Sequence, residues 1–257
     1  ASAPASAPTE LCCLPAAHVL GVSKCGTTDL YARLALHPHL LPSENKGPHF
    51  WDESHPFGWY LRLYAKGASR LSAAAEARRR SDLFLDASSN TFTWSGIGVR
   101  GRRHPQPVLL PHVLAWLQPQ LQLLLVLREP GRRYFSAYWY YHKRYGIYRA
   151  FGPLSAASFD RMARHETAAF EDCAARSAER RCARTLFDGG QQLVKGLYAA
   201  SLPDWLGAFP PHQFLILRLE DYERRPAPHL RAALAFLGLA PPRRALWQRM
   251  LAQPRAN

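Results

Sequence analysis

The sequence is short of cysteine, of acidic residues and of long apolar runs, and each shortage excludes a class of protein. Five of the 257 residues are cysteines, too few for a disulfide-rich scaffold, and none has the paired C-x-x-C spacing of a structural zinc site. Only 19 residues are Asp or Glu against 33 Lys or Arg, which gives a formal charge of +14. A hydrophobic content of 47% with 12% aromatic residues excludes a disordered or collagen-like chain.

The longest stretch without a charged residue, 105–127, is broken by prolines and glutamines, so we predict no transmembrane helix. The chain opens at Ala1, and Ala, Ser and Pro dominate its first residues. We expect residues 1–10 to form a flexible lead-in and residues 11–257 to form a single domain.

Two of the cysteines, Cys173 and Cys182, flank a short, polar, arginine-rich segment. Two interpretations are open at this point: a local disulfide formed in an oxidising compartment, or two unpaired surface thiols. The cysteines therefore leave the cellular compartment undecided.

Positive charge and aromatic rings are concentrated between residues 128 and 149. This segment carries six basic residues and one acid, Glu129, interleaved with tyrosines and a tryptophan. A surface that binds nucleic acid combines these residue types, because rings stack on bases while cations follow phosphates. An amphipathic helix with a solvated basic face produces the same pattern. The excess of positive charge over the whole chain predicts an anionic partner.

Short apolar runs predict buried strands at residues 17–22, 83–85, 121–127 and 214–219. Helical patterns lie between them, at residues 28–36 before Pro38 and at residues 230–237 before Gly238. Strands that alternate with helices predict an α/β fold, with a central parallel sheet covered by helices on both faces.

The first predicted strand leads into a glycine-bearing turn and then a helix, over residues 18–31. Backbone N–H groups of such a turn converge on one point, and the helix dipole adds partial positive charge, which together favour a bound phosphate. Gly21, Gly26 and Thr28 fit the nucleotide-kinase pattern G-x-x-x-x-G-K-[ST], but Thr27 occupies the lysine position and Lys24 stands earlier in the loop. This departure disfavours a kinase with a magnesium triphosphate site. A strand-to-helix turn that binds nothing is the alternative.

A second anion-binding arrangement is predicted at the end of the third strand. Arg128 follows the apolar run 121–127, at the sheet edge where open α/β sheets bind ligands. Ser136 lies eight residues further along, on the following helix, and can reach the same anion after the turn at Pro130 and Gly131. Taken singly, Arg128 is equally explained as a surface cation, and Ser136 as a helix residue that bonds its own backbone.

The run GVSKCGTT followed by LREPGRRYFSAYW resembles the paired phosphate-binding motifs of the Golgi-type carbohydrate sulfotransferases. The resemblance implies a P-loop nucleotide-kinase-like fold and the donor 3′-phosphoadenosine 5′-phosphosulfate (PAPS), with no metal. It implies contacts to the 5′-phosphosulfate from the first motif and to the 3′-phosphate from the second. The residues so implied are Lys24, Cys25, Gly26, Thr27 and Thr28 for the 5′ side, and Arg128 and Ser136 for the 3′ side.

The motifs KCGTTDLY and RLED are similar to those of the N-acetylgalactosamine 4-sulfate 6-O-sulfotransferase branch. That similarity implies chondroitin or dermatan sulfate as the acceptor; a heparan sulfate-type enzyme is the alternative. The partner would be a sulfated polysaccharide and not a nucleic acid, bound in a basic trough for which Arg132, Arg133, Lys143 and Arg144 are candidates. The resemblance also implies a glycoprotein of the Golgi lumen, joined to the membrane only through an anchor outside this sequence.

The sequence departs from the family in the position expected to hold the general base. A carboxylate two residues before His49 is expected, and Gly47 stands there, so Glu44 and His49 are the candidates that remain to take a proton from the acceptor hydroxyl. Lys24 is expected to stabilise the departing 5′-phosphate.

The resemblance also implies a closing loop and a last helix beyond residue 257, which would cover the nucleotide. A chain without this lid and without the carboxylate would fit a non-catalytic module that binds polyanions. Donor binding discriminates such a module from a sulfotransferase.

Overall fold

The computed structural model describes residues 14–53, 55–68, 70, 82–93, 96–97, 108–188 and 190–255. The expected lead-in at residues 1–10, together with Cys12 and Cys13, lies outside the described residues. Within them, no helix combines the length and the apolar character that crossing a membrane requires.

The described strands form a five-stranded parallel sheet and a separate two-stranded antiparallel ribbon, with sheet order β2-β3-β1-β6-β7. The sheet strands are β1 (Ala17–Gly21), β2 (Leu40–Pro42), β3 (Leu83–Asp86), β6 (Gln122–Leu127) and β7 (Phe214–Arg218). The ribbon consists of β4 (Gly96–Ile97) and β5 (Val108–Leu109). The predicted parallel sheet is therefore confirmed.

The central strand β1 lies between β3 and β6, with His18 opposite Asp86 on one side and Leu123 on the other. Every residue of β1 is buried, which explains why the strand has no alternation of polar and apolar residues. The four predicted strands are confirmed to within a residue or two at each end. The short strand β2 was not predicted.

Helices flank the sheet. They are α1 (Thr27–Leu34), α2 (Phe57–Arg62), α3 (Leu110–Leu117), α4 (Pro130–Tyr145), α5 (Ala156–Ala174), α6 (Glu179–Asp188), α7 (Tyr198–Ala208), α8 (Leu219–Arg224), α9 (Pro226–Phe236) and α10 (Arg244–Ala252). Short 3₁₀ turns occupy Arg149–Phe151, Leu193–Gly196 and Pro211–Gln213. The helices predicted at residues 28–36 and 230–237 correspond to α1 and to the second half of α9.

The main apolar core surrounds the sheet, and a smaller cluster joins α4 to α5. Tyr134 and Tyr138 of α4 belong to this smaller cluster and are buried, whereas Trp139, Tyr140 and Tyr145 are exposed. The aromatic run of the sequence is thus divided by the helix between the interior and the surface, as the amphipathic interpretation predicts.

Cys173 and Cys182 form a disulfide that joins the end of α5 to α6. Of the two interpretations left open by the sequence, the local disulfide is the one present. Cys25 is a buried free thiol.

Candidate active site

A cavity of about 1060 Å³ opens where the parallel strands β1, β6 and β7 end. The loop after β1, the residue after β6 and the residue after β7 contribute Lys24, Arg128 and Leu219 to its lining. The carboxyl edge of a parallel sheet is the place where α/β folds bind ligands, because the following loops and helix N-termini converge there.

The turn after β1 is shaped to leave backbone donors free. Gly26 precedes α1 with φ of 77°, and a Cβ at this position would lie 2.5 Å from Leu219 Cδ1, so only glycine fits. No side chain caps the first turn of α1. The N–H groups of Thr27 and Thr28 begin this helix, and both residues line the cavity. The loop therefore offers donors and a positive helix terminus to an anion.

Cys25 is the one residue of the predicted phosphate loop that does not line the cavity. Its side chain is buried, its Sγ lies 3.6 Å from the hydroxyl of Tyr198, and its amide donates to the carbonyl of Val22. Burial raises the pKa of this thiol, although the hydrogen bond with Tyr198 acts in the opposite direction. Cys25 thus packs beneath the loop, on the side away from the cavity, and its thiol is protonated at neutral pH.

Arg128 and Ser136 both line the cavity, as the second motif predicts. Glu129 starts α4 by accepting from the amides of Gly131 and Arg132, at 2.8 and 2.7 Å. The hydroxyl of Tyr198 donates to the carbonyl of Arg128 at 2.6 Å. The guanidinium of Arg128 donates to the carbonyl of Lys24 at 3.2 Å, which joins the two predicted motifs directly.

Lys24, Lys46 and Arg128 are among the cations that line the cavity, and in the described part of the chain none of these three pairs with a carboxylate. Burial lowers the pKa of Lys24, and the charge of Arg128 lowers it further. Burial lowers the pKa of Lys46 to about 8, against the attraction of Asp86, and the charge of Lys24 adds to the effect. Cations that repel one another without a counter-ion make the cavity a site for an anion.

Lys46 was not predicted from the sequence. Its Nζ lies 3.3 Å from Oγ1 of Thr27, so it reaches the phosphate loop from the segment before His49. Lys46 directly precedes Gly47, the position at which the family resemblance implies a catalytic carboxylate. That position could have indicated Lys46 as a site residue.

One wall of the cavity is aromatic. Tyr140, Tyr141 and Tyr145 of α4 line it together with Ile147, and the ammonium of Lys24 lies 3.9 Å from the centre of the Tyr140 ring. The predicted trough of cations is only partly correct, because Arg133 is fully buried beneath this wall. Its position on the inner face of α4 excludes it from contact with any large ligand.

Glu44 does not line the cavity. Its carboxylate is exposed and pairs with Lys66 at 3.0 Å, so the structure separates it from Lys24 and His49. A group that takes a proton must lie within hydrogen-bond reach of the reacting atom, and Glu44 is oriented away from the site.

His49 lines the cavity, and its Nδ1 lies 3.0 Å from both carboxylate oxygens of Asp52. Burial alone would lower the pKa of His49, but the hydrogen bond and charge of Asp52 outweigh burial and raise it. Because a carboxylate can only accept, the hydrogen bond places the ring proton on Nδ1 and leaves Nε2 as the basic atom. His49 has the arrangement of a general base.

Gly47 explains how the ring of His49 reaches this position. A Cβ at Gly47 would lie 3.2 Å from Nε2 of His49 and 3.0 Å from the carbonyl of Ala87. The ring thus occupies the space next to the position where the sequence resemblance places a carboxylate. A side chain at residue 47 would displace it.

The far side of the cavity is formed by the last described residues, and Arg33 holds them. Its guanidinium pairs with Asp29 at 2.8 Å and donates to the carbonyls of Met250, Leu251 and Gln253 at 2.7, 2.8 and 2.8 Å. Tyr222 donates to the same Asp29 carboxylate. This clamp fastens the last turn of α10 and the residue after that helix to α1.

Residues 15–250 match the sulfotransferase domain family. The chain belongs to this family. The match covers the sheet, both predicted phosphate-binding motifs and His49, so the cavity described above is the candidate active site of a sulfotransferase domain.

Among curated proteins, human carbohydrate sulfotransferase 15 is 31% identical over 260 aligned residues, which cover 90% of this chain and 45% of that protein. Human bifunctional heparan sulfate N-deacetylase/N-sulfotransferase 3 is 26% identical over 237 residues, which cover 89% of this chain and 23% of that protein. This sulfotransferase domain therefore spans about half, or less, of the length of these relatives.

Two solved structures share the fold. A sulfotransferase from Alicyclobacillus acidocaldarius superposes with a TM-score of 0.54 at 21% identity, over 93% of this chain and 91% of that one. Mouse sulfotransferase SULT7A1, solved in complex with PAP, gives a TM-score of 0.51 at 13% identity, over 93% of this chain and 64% of that one. At these identities the comparisons establish the fold of this sulfotransferase domain and nothing finer.

Proposed function

We propose that this sulfotransferase domain moves a sulfuryl group from PAPS to a hydroxyl of a sulfated glycosaminoglycan, with chondroitin or dermatan sulfate as the acceptor and the 6-hydroxyl of N-acetylgalactosamine as the target. One observation carries the proposal: Lys24, Thr27, Thr28, Arg128 and His49 line a single cavity. These positions support the proposal, because they bring two candidate anion-binding arrangements and one candidate base to the same cavity.

The residues present fit the donor. The uncapped start of α1 with Lys24 and Lys46 offers donors to a phosphosulfate, and Arg128 and Ser136, which line the same cavity, offer a second anion site. Three cations without counter-ions match a ligand that carries several negative charges. The solved relative in complex with PAP is consistent with this choice of donor.

In the proposed reaction, Nε2 of His49 accepts the proton of the acceptor hydroxyl as the hydroxyl oxygen forms a bond to sulfur. The bond between sulfur and the 5′-phosphate oxygen breaks, and the electron pair leaves with that phosphate. Lys24 and the loop amides stabilise the negative charge that develops on the leaving group. Asp52 holds the ring proton on Nδ1 and stabilises the imidazolium that forms.

The acceptor is proposed from charge and from the aromatic wall. A net charge of +14 favours a polyanion, and α4, which carries the wall of tyrosines, also exposes Arg132, Lys143 and Arg144. The greater identity to carbohydrate sulfotransferase 15 than to the heparan sulfate relative supports a chondroitin-type acceptor. Chondroitin sulfate binding should weaken steeply with salt, and insensitivity to salt would argue against this acceptor.

We further propose the Golgi lumen as the location of this domain. The disulfide between Cys173 and Cys182 supports an oxidising compartment. Attachment to a membrane would have to come from a segment outside these residues.

Donor binding tests the proposal by calorimetry with 3′-phosphoadenosine 5′-phosphate and with ADP, each with and without Mg²⁺. We expect the 3′-phosphorylated nucleotide to bind without metal and more tightly than ADP. Arg128→Ala should weaken that binding roughly 10- to 100-fold, the usual effect of losing a charge-assisted hydrogen bond. Arg132→Ala, an exposed arginine four residues along the same segment, is the matched control and should bind as the unchanged protein does.

Equal affinity for ADP, or equal losses in the two variants, would contradict the assignment of the 3′-phosphate site. Binding of neither nucleotide would refute the proposed function. A module that binds polyanions without catalysing transfer would then be the better description.

A further inference from the structure

A line of four hydrogen-bonded side chains runs from His49 into the interior. Nδ1 of His49 lies 3.0 Å from Asp52, and Nδ2 of Asn90 donates to Oδ2 of Asp52 at 2.8 Å. Nζ of Lys195 donates to Oδ1 of Asn90 at 3.1 Å. Asp52, Asn90 and Lys195 were not singled out from the sequence, and the donor-binding motifs do not include them.

The chemistry of the end groups fixes the direction of every bond in this line. An ammonium only donates, so Asn90 presents its carbonyl to Lys195 and its NH₂ to Asp52. A carboxylate only accepts, so His49 carries its proton on Nδ1. The line therefore leaves Nε2 of His49 as the acceptor, and Nε2 makes no hydrogen bond with any residue that the structure describes.

Lys195 is buried and lies beneath the aromatic rings of Phe187 and Tyr141, at 5.1 and 5.9 Å from their centres. No carboxylate lies within ion-pair distance of it among the described residues. Burial lowers its pKa to about 8, and the neighbouring charge of Arg133 acts in the same direction. The carboxylates of Asp52 and Glu166 oppose this effect.

A buried cation next to another cation, with no carboxylate at ion-pair distance, lowers the stability of the folded protein. Glu166 does not neutralise it at close range: no ion pair joins the two among the described residues, and Oε2 of Glu166 instead accepts from the hydroxyl of Tyr134 and the amide of Leu193. Lys195 does not line the cavity, so direct contact with a ligand does not account for it either. In the described part of the chain, the hydrogen bond with Asn90 is the one polar contact of its ammonium.

We propose that Lys195 is a positioning residue for the transfer reaction: through Asn90 and Asp52 it holds the ring of His49 with Nε2 open to the cavity. The inference rests on the proposed function in one respect, namely that His49 is the base. Its structural content, the orientation and titration of His49, does not depend on turnover.

The test compares Lys195→Met, Lys195→Arg and the matched control Lys66→Met, which removes an exposed lysine that does not line the cavity. In Lys195→Met we expect kcat to fall about tenfold, with KM for PAPS within twofold of its original value, because the lysine acts on the base through Asn90 and Asp52 and does not contact the donor. The titration of His49 should change, because Asp52, whose hydrogen bond and charge raise the pKa of His49, is no longer held by the line from Lys195. Lys195→Arg retains a donor and should recover part of kcat.

Two further measurements separate positioning from a structural role. The free energy of unfolding of Lys195→Met should be unchanged or higher, since a buried charge has been removed. The titration of His49, followed by NMR with His49→Asn to assign its signal, reports on the line of hydrogen bonds even if no acceptor is sulfated.

An unchanged kcat, or an unchanged titration of His49, in a folded Lys195→Met protein would overturn the inference. So would a loss of activity accompanied by an equal loss of stability and of donor affinity. If the unchanged protein binds no nucleotide but His49 titrates as expected in both forms, the proposed function fails while the positioning of His49 by Lys195 stands.

Discussion

Replacing Arg33 with alanine should be one of the most damaging single changes to this domain. The guanidinium donates to both carboxylate oxygens of Asp29 and to the carbonyls of Met250, Leu251 and Gln253, and the residue is 5% exposed. Arg33→Ala leaves the Asp29 carboxylate buried with only Tyr222 as its partner, and it strips three carbonyls of their donor. Breaking a buried ion pair on one side costs about 3–5 kcal/mol.

That loss is large beside a total stability of about 5–15 kcal/mol for a domain. It should lower the midpoint of thermal unfolding by roughly 10 °C in a chain of this length. Unfolding in urea, followed by tryptophan fluorescence and by circular dichroism, measures the loss in the free energy of unfolding. Nucleotide affinity should fall as well, because Leu251 and Gln253 line the cavity and lose the contact that holds them in place.

Arg164→Ala is the matched control. Arg164 also pairs with an aspartate four residues away in sequence, Asp160, but both side chains are exposed. Its loss should leave the free energy of unfolding close to that of the unchanged protein, because water screens an exposed ion pair. Arg33→Lys keeps the charge but cannot make five hydrogen bonds, so its stability should fall between the other two. If Arg33→Ala lies within about 1 kcal/mol of the unchanged protein, the clamp does not have the role that its geometry indicates.

Three further outcomes are expected. Lys24→Ala should lower kcat about 100-fold or more in a sulfuryl-transfer assay, since the ammonium is placed for the leaving group, and an unchanged kcat would remove that role. Removing the disulfide as Cys173→Ala with Cys182→Ala should lower the free energy of unfolding by roughly 2.6 kcal/mol for a sequence separation of 9, and equal urea midpoints would contradict this. Burial lowers the pKa of His18, whose ring nitrogens have no partner among the described residues, although Asp86 opposes the shift. Stability should therefore decline as the pH falls below 6.5, where the unfolded chain takes up a proton that folded His18 resists, and His18→Leu should flatten this decline in pH-dependent unfolding.

The sheet and the glycine-bearing turn after β1 were predictable, because the sequence patterns that indicate them involve only neighbouring residues. The fully buried run around Val19 and the spacing of Gly21 and Gly26 depend only on neighbouring residues. The strand Leu40–Pro42 was missed because three residues are too few for a hydrophobic pattern.

The site was only partly predictable because several of its contacts join distant segments. Asn90 and Lys195 are hydrogen-bonded although they lie 105 residues apart in sequence, and no rule of sequence spacing predicts such a pair. By contrast, Asp52 lies three residues after His49, a spacing that could have suggested the pair. The burial of Arg133 could also have been predicted from the sequence, because Arg133 lies four residues before Ala137 and therefore on the same buried helix face.

Glu44 shows the limit of proximity in sequence as a guide. It lies near Gly47 and His49 in the chain, yet the backbone turns it towards Lys66 and away from the cavity. The direction of a side chain in a loop is set by the packing of the loop, and the sequence carries no periodic signal for it.

The covalent link between Cys173 and Cys182 has a consequence for how this domain is made. Cys182 is fully buried, so its thiol must meet that of Cys173 before or while α6 packs against its neighbours. In a reducing cytosol, α5 and α6 would pack together while Cys173 and Cys182 remain two free thiols. Material from a secretory host is therefore the appropriate starting point for each measurement described above, and a count of free thiols should find that Cys173 and Cys182 contribute none.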